Sequence, residues 1–226
     1  MRYTKPLIAS ALVLALMFAA STYAAAQLGD KAIPVHWGLS GQPDSFGPAF
    51  PTVFLMPGIA LAVCLGMAVT PSLMPRAGRL ERSWPAYETL WLTLLVFFLF
   101  LHGAMLGVGL GYNLPFVRII VVMVGVLLAV IGNLLGKVRY NYVFGIRTPW
   151  TLASERVWDR THRFAGWSMA LGGLVSIAVG LLAPSGAERS MMLVVLPCGV
   201  GPALAAAVFS YLESRRQEQG LEAKIE

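Results

Sequence analysis

Charged residues are scarce in this chain: they make up 12% of its 226 residues, whereas soluble domains usually carry about 25%. Hydrophobic residues make up 57% of the sequence. A water-soluble fold could not cover that much apolar surface, which excludes the soluble globular classes. The composition therefore predicts a polytopic membrane protein.

Cysteine and histidine are also rare, with two and three residues respectively. Cys64 and Cys198 lie in apolar runs without partners at metal-ligand spacing, so we interpret them as small buried hydrophobic residues. The three histidines, His36, His102 and His162, belong to three different parts of the predicted topology and cannot form one metal site. We expect no metal, no cofactor and no catalytic residues, and therefore no enzyme.

Apolar runs of about 20 residues are long enough to cross a bilayer as helices. The sequence contains six of them, at about 7–26, 50–70, 87–111, 115–136, 164–183 and 190–212. The first also resembles a secretory signal peptide, but it has full spanning length, which is longer than the core of a signal peptide. We expect it to be retained as a span.

Basic residues are distributed unequally between the two sides of this predicted topology. With the N-terminus inside, 14 of them fall in inner segments and three (Lys31, Arg118 and Arg189) in outer segments. The positive-inside rule therefore predicts that both termini lie in the cytoplasm. Because the net charge of +6 is spread over several loops rather than one patch, we expect no direct nucleic-acid binding.

The spans contain few ionisable residues that could form a transport path. His102 is an intramembrane candidate for function, although a neutral histidine bonded to a neighbouring helix is the simpler interpretation. Small residues repeat every four positions in three spans, which favours close helix packing. These stripes are Gly103, Gly107 and Gly111; Ser168, Gly172, Ser176 and Gly180; and Gly58, Ala62 and Gly66. A small-solute transporter or channel remains an alternative function.

The longest polar interval, residues 133–163, lies between the fourth and fifth predicted spans. Thr148 followed by Pro149 is typical of a helix start, and the sequence predicts a short helix from Trp150 to about Arg163. We expect this helix to lie in the cytoplasmic interface with Trp150 and Trp158 among the lipid headgroups, and Asp159 and Arg163 to lie at pairing distance. It is either a simple lipid anchor or a recognition surface for a cytoplasmic partner.

The sequence GNLLGKVRYNYVFGIRTPWTLASERVWDRTHRFAGW, which we call the central motif (residues 132–167), resembles the signature of the SdpI family. These are bacterial membrane proteins named for immunity to a secreted sporulation-delaying toxin. The residues that carry the resemblance and form the candidate partner site are Asn133, Lys137, Arg139, Asn141, Tyr142, Gly145, Arg147, Thr148, Pro149, Trp150, Glu155, Trp158, His162 and Arg163. One mild difference is Gly136, where the family pattern suggests proline.

An outer segment, IPVHWGLSGQPD, is similar to a short domain of unknown function that often precedes the family motif. Its candidate residues are Pro34, His36, Trp37, Gly41, Pro43 and Asp44. Its glycines and prolines predict a structured turn rather than a helix. The two resemblances imply a two-span region at 1–75 and a four-span region at 76–226.

The resemblance implies a function and a location for this all-α, six-span protein. The implied function is immunity to a secreted peptide toxin at the bacterial cytoplasmic (inner) membrane. It also implies a signalling role, in which the protein holds a small transcriptional repressor at the membrane. We infer from the topology that the outer segment is the side for the toxin and that the central motif is the side for the repressor.

Overall fold

The computed structural model describes residues 3–73 and 77–222. In this part of the chain, helices alternate with short connections, and one β-hairpin lies between the first two long helices. The elements are α1 Thr4–Leu28, β1 Ala32–Trp37, β2 Pro43–Pro48, α2 Ala49–Thr52, α3 Leu55–Leu73, a 3-10 helix Ala77–Ser83, α4 Trp84–Gly109, α5 Phe116–Leu135, α6 Pro149–Ala153, α7 Glu155–Leu182 and α8 Glu188–Glu222.

Six helical stretches of the described chain are long and apolar enough to cross a membrane. They are Thr4–Leu28, Ala49–Ser72, Leu80–Gly109, Phe116–Leu135, Glu155–Leu182 and Glu188–Gly220. The prediction of a multi-pass, six-span helical protein is therefore confirmed. The fifth helix starts at Glu155 rather than near residue 164, and the sixth continues well beyond 212.

Helices α5 and α7 pack closely, and their backbones touch at glycines. A Cβ atom added at Gly132 would lie 2.4 Å from the amide nitrogen of Ala170, and one at Gly173 would lie 2.5 Å from that of Ala129. Real Cβ atoms do not approach backbone atoms so closely, so only glycine allows this packing. The pair α5–α7 holds both ends of the central motif in fixed positions.

The predicted small-residue stripes are only partly used for packing. Gly172 and Gly180 of α7 approach neighbouring helices closely, since added Cβ atoms would lie 2.6 Å from the Cys198 carbonyl oxygen and from a Val122 methyl group. By contrast, an added Cβ at Gly58, Gly66 or Gly103 would meet nothing within 4 Å. Gly58 and Gly66 of α3 and Gly103 of α4 therefore make no close helix contact in the isolated chain.

The predicted outer turn is an antiparallel hairpin of β1 and β2. Gly41 at its tip has a φ of +79°, a left-handed conformation that glycine adopts without strain. Trp37 stacks on Phe116 at the start of α5, with ring centroids 3.8 Å apart. The all-helical class therefore holds for the spans, with a small hairpin added at one end.

Helix direction alternates along the chain, so the hairpin and the central motif lie at opposite ends of the bundle. We call these the hairpin end and the motif end. At the motif end Tyr3, just before α1, packs edge-on against Trp84 at the start of α4, with centroids 4.7 Å apart. At the hairpin end the Arg118 guanidinium donates to the carbonyls of Gly180 (2.9 Å) and Ala183 (2.8 Å), which satisfies carbonyls that the end of α7 leaves unpaired.

His102 is buried in α4 and joins it to α1. The Ser21 hydroxyl donates to the Val53 carbonyl at 2.7 Å, so its oxygen is free to accept from His102 Nε2 at 3.2 Å. The carbonyl of Met17 lies at the same distance from Nε2. The structure thus agrees with the simpler interpretation of His102, that of a histidine bonded to a neighbouring helix.

Candidate functional site

The loop after α5 is folded around the side chain of Asn141, which is completely buried. Its amide nitrogen donates to the Arg139 carbonyl at 2.8 Å. Its amide oxygen accepts from the backbone N–H groups of Val143 (2.8 Å) and Phe144 (2.9 Å). Asparagine is suited to this role because its short amide imitates a backbone group within a turn. Asn141 therefore acts as the framework of the loop rather than as an exposed contact.

Gly145 allows this loop to lie directly on α7. Its φ is +122°, and an added Cβ would lie 2.5 Å from Nε2 of His162 and 3.0 Å from the Trp158 ring. Both the backbone conformation and the lack of space require glycine. The sequence motif therefore includes this residue for a steric reason.

Trp158 is completely buried, so the prediction that it lies among lipid headgroups is wrong. Its indole N–H donates to the Val138 carbonyl at 3.0 Å, and its ring stacks on His162 with centroids 4.0 Å apart. Tyr140 packs edge-on against it at 5.4 Å. The tryptophan is inside because the loop folds over this face of α7 and covers it.

His162 joins the loop to α7 through both ring nitrogens. Nε2 accepts from the backbone N–H of Ile146 at 2.9 Å, and Nδ1–H donates to the Trp158 carbonyl at 2.9 Å. Only the neutral tautomer with its proton on Nδ1 makes both bonds. The histidine is 1% exposed, so its role in this structure is to hold the loop in place.

The single helix predicted from Trp150 to Arg163 is in fact two helices. Thr148 caps α6 in a capping box with Thr151, and Pro149 is the first helical residue, as the sequence predicts. Ser154 then adopts an extended conformation (φ −142°, ψ 123°) and caps α7 by accepting from the Val157 N–H. Because Ser154 interrupts the helical path, the residues from Glu155 onward belong to the helix that continues as the fifth span.

The basic side chains of the motif lie on the outer surface of this scaffold. Those exposed to solvent or lipid are Lys137, Arg139, Arg147, Arg156, Arg160 and Arg163. Lys137 Nζ donates to Asn133 Oδ1 at 3.2 Å, and Arg147 donates to the Tyr142 carbonyl at 3.0 Å. The motif therefore combines a buried, hydrogen-bonded interior with a cationic exterior.

Helix α8 forms the third side of the site, which the sequence did not predict. The Ser154 hydroxyl donates to Gln217 Oε1 at 2.8 Å, and Thr148 bonds to Ser210 at 2.9 Å. Arg160 forms an ion pair with Glu213, which is 2% exposed. The predicted pair of Asp159 with Arg163 does not form in the described structure. Glu213 could have indicated this contact, because its spacing from Ser210 and Gln217 places the three polar side chains on one face of the last helix.

The structure brings together most of the predicted motif residues, but it does not bring the outer residues to them. At the hairpin end, His36 Nδ1–H donates to Asp44 Oδ1 at 2.6 Å across the two strands. Pro34 and Pro43 lie in the same strands, and an added Cβ at Gly41 would lie 2.4 Å from Glu188 of α8. The outer residues thus form a second, separate surface. The described residues contain no group of three or more His, Cys, Asp or Glu side chains placed to hold a metal ion.

Comparison with known proteins identifies the region that carries the motif. Residues 137–210 match the SdpI/YfhL protein family. We call residues 137–210 the SdpI-family region, since this is the part of the chain that matches that family. Residues 12–61 match a domain of unknown function, DUF1648, so both resemblances predicted from the sequence are confirmed.

The chain also matches a named relative. The chain is 34% identical over 82 residues to the Immunity protein SdpI of Bacillus subtilis (strain 168). The alignment covers 36% of this chain and 40% of that relative. No solved structure matches the chain. The comparisons and the six spans together support a multi-pass membrane protein related to an immunity protein.

Proposed function

We propose that this chain is an integral membrane immunity protein that protects a bacterial cell against a secreted peptide toxin. The observation that carries the proposal is the similarity of the chain to a protein named for immunity, together with the match of residues 137–210 to the SdpI/YfhL family. The buried contacts of Asn141, Trp158 and His162 support it, because they give the motif residues a defined architecture in this chain.

The two polar surfaces at opposite ends of the bundle suggest a division of roles. The basic residues at the motif end favour a cytoplasmic location for that end. On this assignment both termini are cytoplasmic, the host membrane is the bacterial inner membrane, and the hairpin with His36 and Trp37 faces outward. An extracellular peptide would then meet the hairpin end first.

The motif end is suited to holding a cytoplasmic protein. The residues proposed to contact it are the exposed ones, above all Arg147 and Glu155, whose backbone positions are fixed by the scaffold beneath them. The proposed partner is a small transcriptional repressor that is captured at the membrane when the toxin is engaged. Arginine favours such capture because its planar guanidinium makes paired hydrogen bonds to carboxylates.

Survival under toxin tests the proposal directly. The intact protein is produced in Bacillus subtilis cells that lack their own SdpI, and the cells are exposed to the sporulation-delaying toxin. We expect survival to exceed that of cells producing an unrelated six-span membrane protein at equal abundance. Equal killing of both strains would contradict immunity to this toxin.

A further inference from the structure

A groove of about 760 Å³ opens between α7 and α8 at the motif end. Its walls are apolar and aromatic below the rim. The side chains that form them include Phe164, Trp167, Leu171, Leu174 and Phe209. Phe164 and Phe209, one from each helix, stack nearly parallel with centroids 4.6 Å apart, which links the two walls.

The outer walls of the groove face the bilayer. Trp167, Leu171 and Leu174 follow one another along one side of α7 and are 77%, 64% and 60% exposed. Because α7 is apolar enough to cross the membrane, these side chains lie against lipid chains. The groove is therefore open to the membrane and not only to water.

The rim of the groove is cationic. Arg160 and Arg163 of α7 and Arg216 of α8 line it together with Glu213. Glu213 pairs with Arg160, which leaves Arg163 and Arg216, from two different helices, without an ion-pair partner in the described chain. The rim thus carries two positive charges that no acid among the described residues neutralises. Along α7, Arg163 lies about one helical turn before Trp167 and two before Leu171.

A second hollow on the other side of Arg163 adds positive charge. It has a volume of about 310 Å³ and lies between α5 and α7, where Gly132 and Gly166 bring the helices together. Arg163 and Trp167 border both spaces, and Lys137 lines the second one. An anionic group bound at Arg163 would be attracted from both sides.

We propose that the α7–α8 groove binds an anionic phospholipid, with its phosphate between Arg163 and Arg216 and an acyl chain along Trp167, Leu171 and Leu174. A small anion would use the rim but not the apolar wall, whereas an apolar molecule would not use the arginines. A phospholipid uses both, and clustered basic residues at the end of a span favour anionic headgroups. The proposal does not depend on toxin immunity.

Native mass spectrometry of the full chain tests the proposal. The purified protein is mixed with equal amounts of phosphatidylglycerol and phosphatidylcholine that have the same acyl chains, and the lipid that remains bound is identified. We expect wild type to retain phosphatidylglycerol on the order of tenfold over phosphatidylcholine, since each arginine adds a favourable term. Excess inorganic phosphate should not displace the lipid, because the acyl chain also contributes.

Two double variants with the same loss of charge distinguish a site from general attraction. Arg163→Gln with Arg216→Gln should abolish the lipid preference. Arg156 and Arg215 lie at the same end but outside the groove. The variant with Arg156→Gln and Arg215→Gln should therefore retain the lipid preference. Size-exclusion chromatography confirms that both variants remain folded.

Either of two results would overturn the proposal. One is an equal loss of lipid preference in both double variants, which would mean that the bound lipid reports overall charge. The other is equal retention of the two lipids by wild type, which would mean that the arginines at the rim do not select an anionic headgroup.

Discussion

The backbone N–H of Ile146 donates to Nε2 of His162 across 2.9 Å, and this bond fixes the central loop to the fifth span. The two residues are 16 positions apart, on either side of the short helix α6. The same imidazole stacks on Trp158, so one side chain holds both the polar and the aromatic part of the site. The exposed arginines of the motif therefore project from a fixed base.

Replacement of His162 by leucine should destabilise the protein. Leucine fills a similar volume but leaves the partly buried N–H of Ile146 without an acceptor, which costs up to about 1–3 kcal/mol. His162→Gln retains an amide oxygen and should recover part of that loss. Thermal unfolding in detergent should therefore give the order wild type, glutamine, leucine. Identical midpoints for all three proteins would contradict the assigned hydrogen bond.

The glycine contact between α5 and α7 makes a second prediction about stability. In Gly132→Ala the new methyl group would lie 2.4 Å from the Ala170 nitrogen, so the helices must separate. Overpacking of this kind costs about 1–3 kcal/mol. We expect a lower unfolding temperature and less protein in the membrane.

Gly136→Ala is the matched control, because it lies one turn away on the same chain segment and its added Cβ would meet nothing within 4 Å. It should accumulate and unfold as wild type does. An equal effect of the two substitutions would mean that the close backbone contact is not the cause.

The number and approximate position of the spans could be predicted from the sequence because each span needs its own apolar run. The packing partners could not, since a stripe of small residues does not identify the helix that it meets. Gly125 and Gly132, and likewise Gly166 and Gly173, repeat at seven residues rather than four, and these form the actual α5–α7 contact.

The sequence predicted most of the residues that the structure brings together in the candidate site, but it did not predict which of them would be buried in its interior. Trp158 was expected among headgroups, because an aromatic residue near the end of a span is typical of the interface. The loop that buries it depends on the Asn141 turn and on the positive φ of Gly145, and neither effect is visible as periodicity. The division at residues 75/76 falls at a segment outside the described residues and stays a prediction.

The orientation of the bundle is predicted from its basic residues and can be measured by cysteine labelling. In a variant with Cys64→Ala and Cys198→Ala, single cysteines are placed at Glu155 in the motif end and at Ser40 in the hairpin end. A membrane-impermeant reagent should label position 40 in intact cells, and position 155 only after the membrane is opened. Labelling of position 155 from outside would reverse the proposed orientation.

Two conservative changes separate a recognition surface from a lipid anchor. Arg147 is exposed and its guanidinium donates to the Tyr142 carbonyl at 3.0 Å, which holds the group in one orientation. Lysine retains the charge that an anchor needs but lacks the planar pair of donors. We therefore expect Arg147→Lys and Glu155→Gln each to abolish immunity or partner capture while the protein still accumulates in the membrane.

Arg156→Lys is the control for these two variants. Arg156 follows Glu155 in α7, it is also exposed, and it is not a predicted contact. Survival under toxin, co-purification of the cytoplasmic partner and membrane abundance are measured for each protein. Trp158→Phe, in contrast, should lower abundance, since it removes the donor to the buried Val138 carbonyl. If Arg147→Lys and Glu155→Gln both behave as wild type, the motif end is an anchor, and the functional surface must be sought around His36 at the hairpin end.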